Sequence, residues 1–248
     1  MTPTRLTCAA ASMLISMSVL LTPATAVAAG PVPRTPDLEL TDAAVTYLPD
    51  LDLVVFEIRV GDEAGATRPT PAGQFHEAPV LAYVFPTTLN AEQVGFSGAD
   101  GILALVATVH PDFDDTPLWD ENRNGDPGDD GTVFHTHWVV LVPDERVAGG
   151  LAVKAVEEAQ PETVLPPTNA GMTSYPDSPG FPVVLQEDTL RIPVPAGRIL
   201  ALKTFRYDAV SAYLEVNLED PNRPTLGAYE VYDVLSGDLS LPRRFTLP

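Results

Sequence analysis

Residues 133–142 read VFHTHWVVLV and form the clearest strand pattern in the chain. Apolar side chains occupy both faces after His137, which is typical of a central strand covered on both sides. Residues 101–109, GILALVATV, form a second short apolar run. The two runs predict an antiparallel hairpin whose long connection, residues 110–131, carries much of the polar chemistry of the chain.

The rest of the chain repeats this pattern of short strands separated by turns. Apolar or alternating runs occur at 38–48, 51–60 and 78–85, and four more follow in the last third of the chain. The last two of these flank the turn residues 219–225, EDPNRPT, and predict a second hairpin. Amphipathic helical patterns are almost absent. These features predict an all-β protein, a single antiparallel β-sandwich over residues 38–248 with long irregular connections. The alternative is two β subdomains that meet near residues 160–180, where prolines are frequent.

The first 29 residues have the pattern of a signal peptide. Arg5 precedes a mostly apolar stretch, and A-x-A sites end at Ala26 and Ala28. The apolar stretch is short for a bilayer span, so cleavage is favoured over an uncleaved anchor. We therefore expect a secreted or periplasmic protein without a membrane span, which begins with a flexible lead-in at residues 30–37.

Charge and cysteine content exclude several classes of function. The formal net charge is −20, which opposes binding to nucleic acid and to anionic membranes. The single cysteine, Cys8, lies within the signal peptide. A metal site in the mature chain must therefore use histidine and oxygen ligands, which favours calcium, zinc or copper over iron–sulfur chemistry.

The connection at 110–131 holds eight acidic residues and one arginine. Within it, short oxygen-bearing side chains alternate and are followed by Gly125. The predicted calcium ligands are Asp120, Asn122, Asn124 and Asp126, together with Asp130, Asp112 and Asp114. Asp115 and Asp129 are further carboxylates that could complete the shell. Calcium takes six to eight oxygen ligands, and short side chains at alternate positions can converge on it.

The segment from Asp120 to Asp126 resembles the D-x-[DN]-x-[DN]-G calcium loop of EF-hand and related proteins. The resemblance covers seven residues and departs from the EF-hand at two points. The twelfth position is Gly131 instead of glutamate, and no helices flank the loop. A calcium loop on a β hairpin is therefore the favoured interpretation, and a simple solvated acidic turn is the alternative.

Four histidines border the acidic loop. His135 and His137 are two residues apart in a strand, so both side chains leave the same face. In the predicted hairpin His110 comes close to His135, and His76 opens the neighbouring strand. These residues predict a zinc or copper site of His135, His137 and His110, with His76 or a carboxylate as the fourth ligand. The alternative is that the histidines only hydrogen-bond the carboxylates of the loop.

Three functions are consistent with these sites. The first is a non-enzymatic exported protein that binds calcium and a transition metal for sequestration, delivery or surface binding. The second is a metal-dependent hydrolase with a histidine-bound zinc. The third is an adhesion or carbohydrate-binding module stiffened by calcium. No hydrolase motif such as G-x-S-x-G or H-E-x-x-H occurs, so catalysis has the weaker support. Metal ions are the only partners that the sequence indicates; a protein or glycan partner is not identified.

Overall fold

The structure is a computed structural model that describes residues 30–116, 118–156, 166, 168, 174, 176–199 and 204–247. The predicted signal peptide lies outside these residues, as does most of the predicted boundary near 160–180. Within the described ranges, no helix has the length and apolar character needed to span a membrane.

Thirteen β-strands account for the regular structure of the described residues, and the helical segments among them are short 3₁₀ turns. The strands are β1 (Leu40–Leu48), β2 (Leu53–Val60), β3 (Pro79–Pro86), β4 (Ile102–Val109), β5 (His135–Pro143), β6 (Leu151–Val153), β7 (Pro176–Asp177), β8 (Val184–Gln186), β9 (Thr189–Pro195), β10 (Thr204–Tyr207), β11 (Val210–Val216), β12 (Leu226–Val234) and β13 (Arg243–Thr246). The 3₁₀ turns are Pro36–Leu38, Ala91–Val94, Pro127–Thr132 and Ala196–Arg198. The prediction of an all-β protein is confirmed.

The largest sheet closes into a barrel. Its strands follow the order β4-β3-β11-β12-β6-β5, and an additional β4–β5 pairing joins the two ends into a six-stranded ring. Strand β7 pairs with β5 outside this ring. A second sheet has the order β1-β2-β9-β8, and β10 pairs with β13. All these pairings are antiparallel, but the structure does not confirm a sandwich.

Two predicted hairpins carry the barrel. Strands β4 and β5 pair from Ile102 with Leu141 to Thr108 with His135, as expected from their apolar runs. Strands β11 and β12 form the second hairpin. The closure depends on β6, which is only three residues long and pairs with both β12 and β5. Such a short strand has no distinctive sequence pattern, so the closure could not be predicted.

The two faces of the barrel wall differ in side-chain size. Alternate residues of the six strands form one buried cluster of mainly alanine and valine, such as Ala82, Val106 and Val139, which fills the barrel interior. The opposite face carries large side chains that join the core formed with β2 and β9. Here Phe56 of β2 packs edge-on against Trp138 of β5, with ring centroids 6.4 Å apart. The alternation therefore sends even- and odd-numbered residues of a strand into different cores.

The end of the expected flexible lead-in is anchored to the domain. Asp37 is buried, and its carboxylate accepts hydrogen bonds from the backbone and hydroxyl of Thr67. Its carbonyl accepts a hydrogen bond from the Tyr83 hydroxyl. Residues 36–38 also form a 3₁₀ turn, so this part of the lead-in belongs to the folded domain.

Candidate metal centre

Three histidines meet at one end of the barrel interior. His135 and His137 share the inward face of β5 with Val139, and His110 continues the inward face of β4 past Thr108. The backbone amide of His110 donates to the carbonyl of Gly131, which extends the hairpin beyond the last paired strand residue. The predicted approach of His110 to His135 is therefore present in the structure.

Asp115 joins the three histidines. Its Oδ1 atom lies 3.2 Å from His110 Nε2, 3.2 Å from His135 Nε2 and 3.4 Å from His137 Nε2. The four ligand atoms all lie within 4.8 Å of one another, and all four residues are buried. Two ligands of a tetrahedral ion with bond lengths of 2.0–2.1 Å lie roughly 3.3 Å apart. The three distances from Asp115 Oδ1 are close to this spacing, whereas His110 Nε2 and His135 Nε2 are only 2.8 Å apart, so a tetrahedral ion would require small shifts of the side chains.

Each histidine is held through its Nδ1 atom by an oxygen. His110 Nδ1 lies 2.9 Å from the carbonyl of Phe113, and His135 Nδ1 lies 2.8 Å from the carbonyl of Val133. Carbonyl oxygens only accept, so both Nδ1 atoms carry the proton. His137 Nδ1 lies 3.1 Å from Ser178 Oγ, whose hydroxyl donates to the carbonyl of Asp115. Ser178 Oγ is therefore an acceptor for His137 as well.

These contacts determine where the lone pairs point. A neutral imidazole that is protonated at Nδ1 presents an unprotonated Nε2, the form that binds metals. All three Nε2 atoms face Asp115, and two of them, on His110 and His135, are only 2.8 Å apart. Two lone pairs at that distance repel each other, so a cation is needed between them, either a shared proton or a metal ion.

The pKa values agree with a centre that needs a cation. Burial lowers the pKa of His137 to about 3, although Asp115 opposes the shift. Burial also lowers the pKa of His110, but the charge and hydrogen bond of Asp115 together with a backbone hydrogen bond to Phe113 make the net shift upward. Burial would raise the pKa of Asp115, but its combined interactions with His137, His110 and His135 hold it well below its usual value. With a pKa of about 3, His137 is neutral near neutral pH.

Two atoms of the centre have no hydrogen-bond partner among the described residues. They are Asp115 Oδ1 and His137 Nε2, and both are buried. Asp115 Oδ1 lies within ion-pair distance of the histidines but does not meet the angular requirements of a hydrogen bond. Buried polar atoms are usually satisfied. A metal ion between these two atoms would satisfy both.

Aromatic and aliphatic side chains surround the centre. Phe113 stacks on His110 with ring centroids 4.0 Å apart, and Phe75 contacts Phe113 in turn. A cavity of about 50 Å³ adjoins the centre inside the barrel, lined mainly by aliphatic side chains such as Val106 and Leu214. The hydrophobic surroundings lower the local dielectric constant, which strengthens charge–charge interactions at the centre.

Gly131 is the point where the acidic connection returns to the centre. A Cβ atom at this position would lie 2.0 Å from the Phe113 carbonyl oxygen and 2.3 Å from that of His110. No other residue fits here without a backbone shift. The glycine that departs from the EF-hand pattern therefore has a steric reason.

The other predicted transition-metal ligand, His76, is not part of the centre. Its Nδ1 accepts a hydrogen bond from the backbone of Leu218, and its Nε2 lies 3.8 Å from Glu219. The fourth ligand position near the three histidines is occupied by Asp115 instead. The carboxylate alternative for the fourth ligand is thus the one that agrees with the geometry.

The upstream acids predicted to complete a calcium shell are also engaged elsewhere. The Asp112 carboxylate accepts hydrogen bonds from the backbone amides of Ala72 and Gly73. Asp114 Oδ1 accepts from the backbone and hydroxyl of Thr116. Among the described residues, neither carboxylate forms a hydrogen bond with residues 120–130. The structure therefore does not bring Asp112 and Asp114 together with the other predicted calcium ligands.

The remaining predicted calcium ligands do lie in one compact loop. Asp120 accepts hydrogen bonds from the backbone amides of Asn124 and Gly125. The backbone amides of Asn122 and Asp126 are bound by the side chains of Asp130 and Asn124, respectively. The side chains of Asp120 and Asn124 therefore accept hydrogen bonds from the backbone of the loop itself.

Sequence reasoning did not assign Asp115 to the histidine centre and did not identify Ser178. Asp115 follows His110 by five residues and stands beside a second aspartate, so its spacing gave no reason to prefer it. Ser178 reaches His137 across 41 residues of intervening sequence. No local pattern could have indicated that contact.

Comparisons with protein-family models, with curated proteins and with solved structures yield no match. The site geometry alone therefore supports the functional argument.

Proposed function

We propose that this chain is an exported protein that binds one transition-metal ion through His110, His135, His137 and Asp115 and catalyses no reaction. One observation supports it above all others: three Nε2 atoms, each with a lone pair, lie 3.2–3.4 Å from one oxygen of a buried carboxylate. The Nδ1 contacts orient these lone pairs in advance, as the second shell does in known histidine metal sites.

The donor set favours zinc, with copper as the alternative. Three imidazole nitrogens and one carboxylate oxygen suit both metals, and no thiolate is present among the proposed ligands. The 3.2–3.4 Å separations around Asp115 match tetrahedral coordination. Zinc prefers that geometry, whereas copper(II) prefers a square-planar or tetragonal arrangement.

The closed surroundings favour binding over hydrolysis. A catalytic zinc has three protein ligands and keeps its fourth position for water. Here Asp115 stands at the fourth position, and its side chain is only 10% exposed. The adjoining cavity of about 50 Å³ is lined mainly by aliphatic side chains and is too small for a polar substrate. A zinc hydrolase would require Asp115 to leave the metal, so it is the second candidate.

A surface-recognition role has one specific observation in its favour. Trp119 is 43% exposed and lines a cleft of about 490 Å³ together with Arg68 and Phe181. An exposed tryptophan beside polar side chains suits stacking against a sugar ring. Loss of glycan binding in Trp119→Ala, tested on a glycan array, is the result that this candidate predicts.

Metal analysis with a matched histidine control tests the main proposal. Elemental analysis of the purified mature protein should give one equivalent of zinc or copper. His135→Ala and His137→Ala should abolish it, whereas His76→Ala should retain it because His76 lies outside the centre. The proposal is wrong if neither substitution at 135 or 137 lowers the metal content.

Export is part of the proposal and has its own test. It rests on the sequence pattern of residues 1–29. Protein recovered from the periplasm or the medium should begin at residue 27 or 29, which N-terminal sequencing would detect. Recovery of the chain with its leader in the cytoplasm would contradict export but leave the metal centre untouched.

A further inference from the structure

The acidic loop, residues 120–130, contains a second group of oxygen-bearing side chains, which is separate from the histidine centre. The side-chain amides of Asn122 and Asn124 each donate a hydrogen bond of 2.8 Å to the carboxylate of Asp129. At the other end of the loop, the Asp120 carboxylate accepts hydrogen bonds from the backbone amides of Asn124 and Gly125. Oxygen-bearing side chains from four positions are thus gathered within a few residues.

Asp130 provides an observation that these loop contacts do not explain. The residue is fully buried, with 0% of its surface exposed. Its Oδ1 atom accepts from the backbone amide of Asn122 at 3.0 Å, so the carboxylate is directed at the loop. Its Oδ2 atom is buried and has no hydrogen-bond partner in the part of the chain that the structure describes.

No basic side chain within the described residues forms an ion pair with Asp130. Arg123, the one arginine of the loop, is exposed. A buried carboxylate without a counter-charge is costly, and a cation removes the cost.

We propose that the loop at 120–130 binds one calcium ion through Asp120, Asn122, Asn124, Asp129 and Asp130. Asn122 Oδ1 and Asn124 Oδ1 accept hydrogen bonds from the backbone amides of Asn124 and Asp126, respectively. Each of these oxygens has a second lone pair that can bind the ion without rotation of the amide. The Asp129 carboxylate exchanges its hydrogen bonds from the two side-chain amides for the ion.

The donor chemistry selects calcium over the metals proposed for the histidines. Every donor is a hard oxygen, and five side chains are available before backbone carbonyls and water are counted. Calcium accepts six to eight such ligands at 2.3–2.6 Å in flexible geometry, whereas magnesium demands a near-ideal octahedron. Zinc and copper prefer the imidazoles of the other centre. The proposal therefore does not depend on the histidine centre.

Titration of the chelator-treated protein with calcium chloride, followed by calorimetry, provides the main test. The wild-type protein should bind one equivalent and melt at a higher temperature with calcium. Asp130→Asn should weaken calcium binding at least 100-fold and, without calcium, should raise the melting temperature because a buried charge is removed. Asn at 130 can still accept from the Asn122 amide, so a purely structural Asp130 would leave calcium binding unchanged.

Two controls separate the loop from general surface charge and from the histidines. Asp62→Asn removes an exposed carboxylate that also accepts from a backbone amide, that of Glu63, and should bind calcium normally. The double variant His135→Ala/His137→Ala should also bind calcium normally. Loss of calcium binding in either control would overturn the assignment to the loop.

Terbium luminescence locates the ion. Trp119 directly precedes Asp120, so excitation of its indole should sensitise a terbium ion bound in the loop, and calcium should displace that ion. Trp119→Phe should remove the luminescence and leave calcium affinity unchanged. The proposal is overturned if calcium produces neither heat nor a higher melting temperature, or if magnesium binds as tightly as calcium.

Discussion

The histidine centre and the acidic loop lie next to each other in the chain and are built in opposite ways. The histidines project from two paired strands into the barrel interior, and each Nδ1 atom is held by an oxygen. The acidic loop is mostly exposed and is held mainly by its own backbone amides. The histidine side chains are therefore held by contacts with residues outside the centre, whereas the loop side chains are held by contacts within the loop.

Gly131 connects the two regions, because its carbonyl accepts a hydrogen bond from the His110 amide and it directly follows Asp130 of the loop. A substitution at Gly131 should therefore damage both. In Gly131→Ala the new Cβ would lie 2.0 Å from the Phe113 carbonyl oxygen. We expect a loss of about 3 kcal/mol in the free energy of unfolding, which is typical of severe overpacking. Urea denaturation measures the loss. Gly30→Ala, where the Cβ would meet nothing within 4 Å, should leave stability unchanged.

The buried centre should make stability depend on pH in the metal-free protein. The pKa of His137 is about 3 in the folded chain and about 6.5 in the unfolded chain. Between these values the unfolded chain binds a proton and the folded chain does not, so stability should decrease as the pH falls below about 6.5.

The low pKa of Asp115 adds a further loss of stability below its usual titration range. His110, with its raised pKa, acts in the opposite sense and loses its stabilising contribution as the pH rises through that value. Urea midpoints between pH 4 and pH 7 measure the balance. His137→Gln should flatten the decrease, and an equally steep decrease would contradict the neutral state of His137.

Preorganisation of the histidines can be tested through Ser178. Ser178→Ala removes the oxygen that holds His137 Nδ1, without removing a metal ligand. Loss of a second-shell contact typically weakens metal affinity roughly 10- to 100-fold. Competition with a chromogenic zinc chelator measures the change. Ser240→Ala, an exposed serine far from the centre in sequence, should have unchanged affinity, and equal affinity in both variants would argue against preorganisation.

The smallest effect is expected at Asp126, the exposed position of the calcium-loop pattern. Its backbone amide is bound by Asn124, while its side chain is exposed. If Asp126 contributes its backbone carbonyl, Asp126→Asn should change calcium affinity by less than about tenfold. Calorimetry beside Asp130→Asn measures the contrast. A loss as large as that of Asp130→Asn would show that the Asp126 carboxylate is a direct ligand.

Much of the local structure could be predicted from sequence periodicity. The alternating and apolar runs predict the β4–β5 and β11–β12 hairpins because the side-chain period of a strand is two residues. The same period places His135 and His137 on one face. Asn90 caps the 3₁₀ turn Ala91–Val94, and its side chain accepts from the backbone of Glu92. These features depend on neighbours a few residues apart.

The barrel closure and the fourth ligand depend on contacts that no local pattern carries. Strand β6 completes the ring with three residues, and Asp115 is one of eight acids in its segment. Tertiary packing selects Asp115 from the eight acids because a buried carboxylate needs hydrogen bonds, positive charge or a metal ion around it, and only the folded structure brings such groups together. The sequence by itself determined an all-β chain with histidines on one strand face. Only the folded barrel decided that Asp115, and not His76, stands beside them.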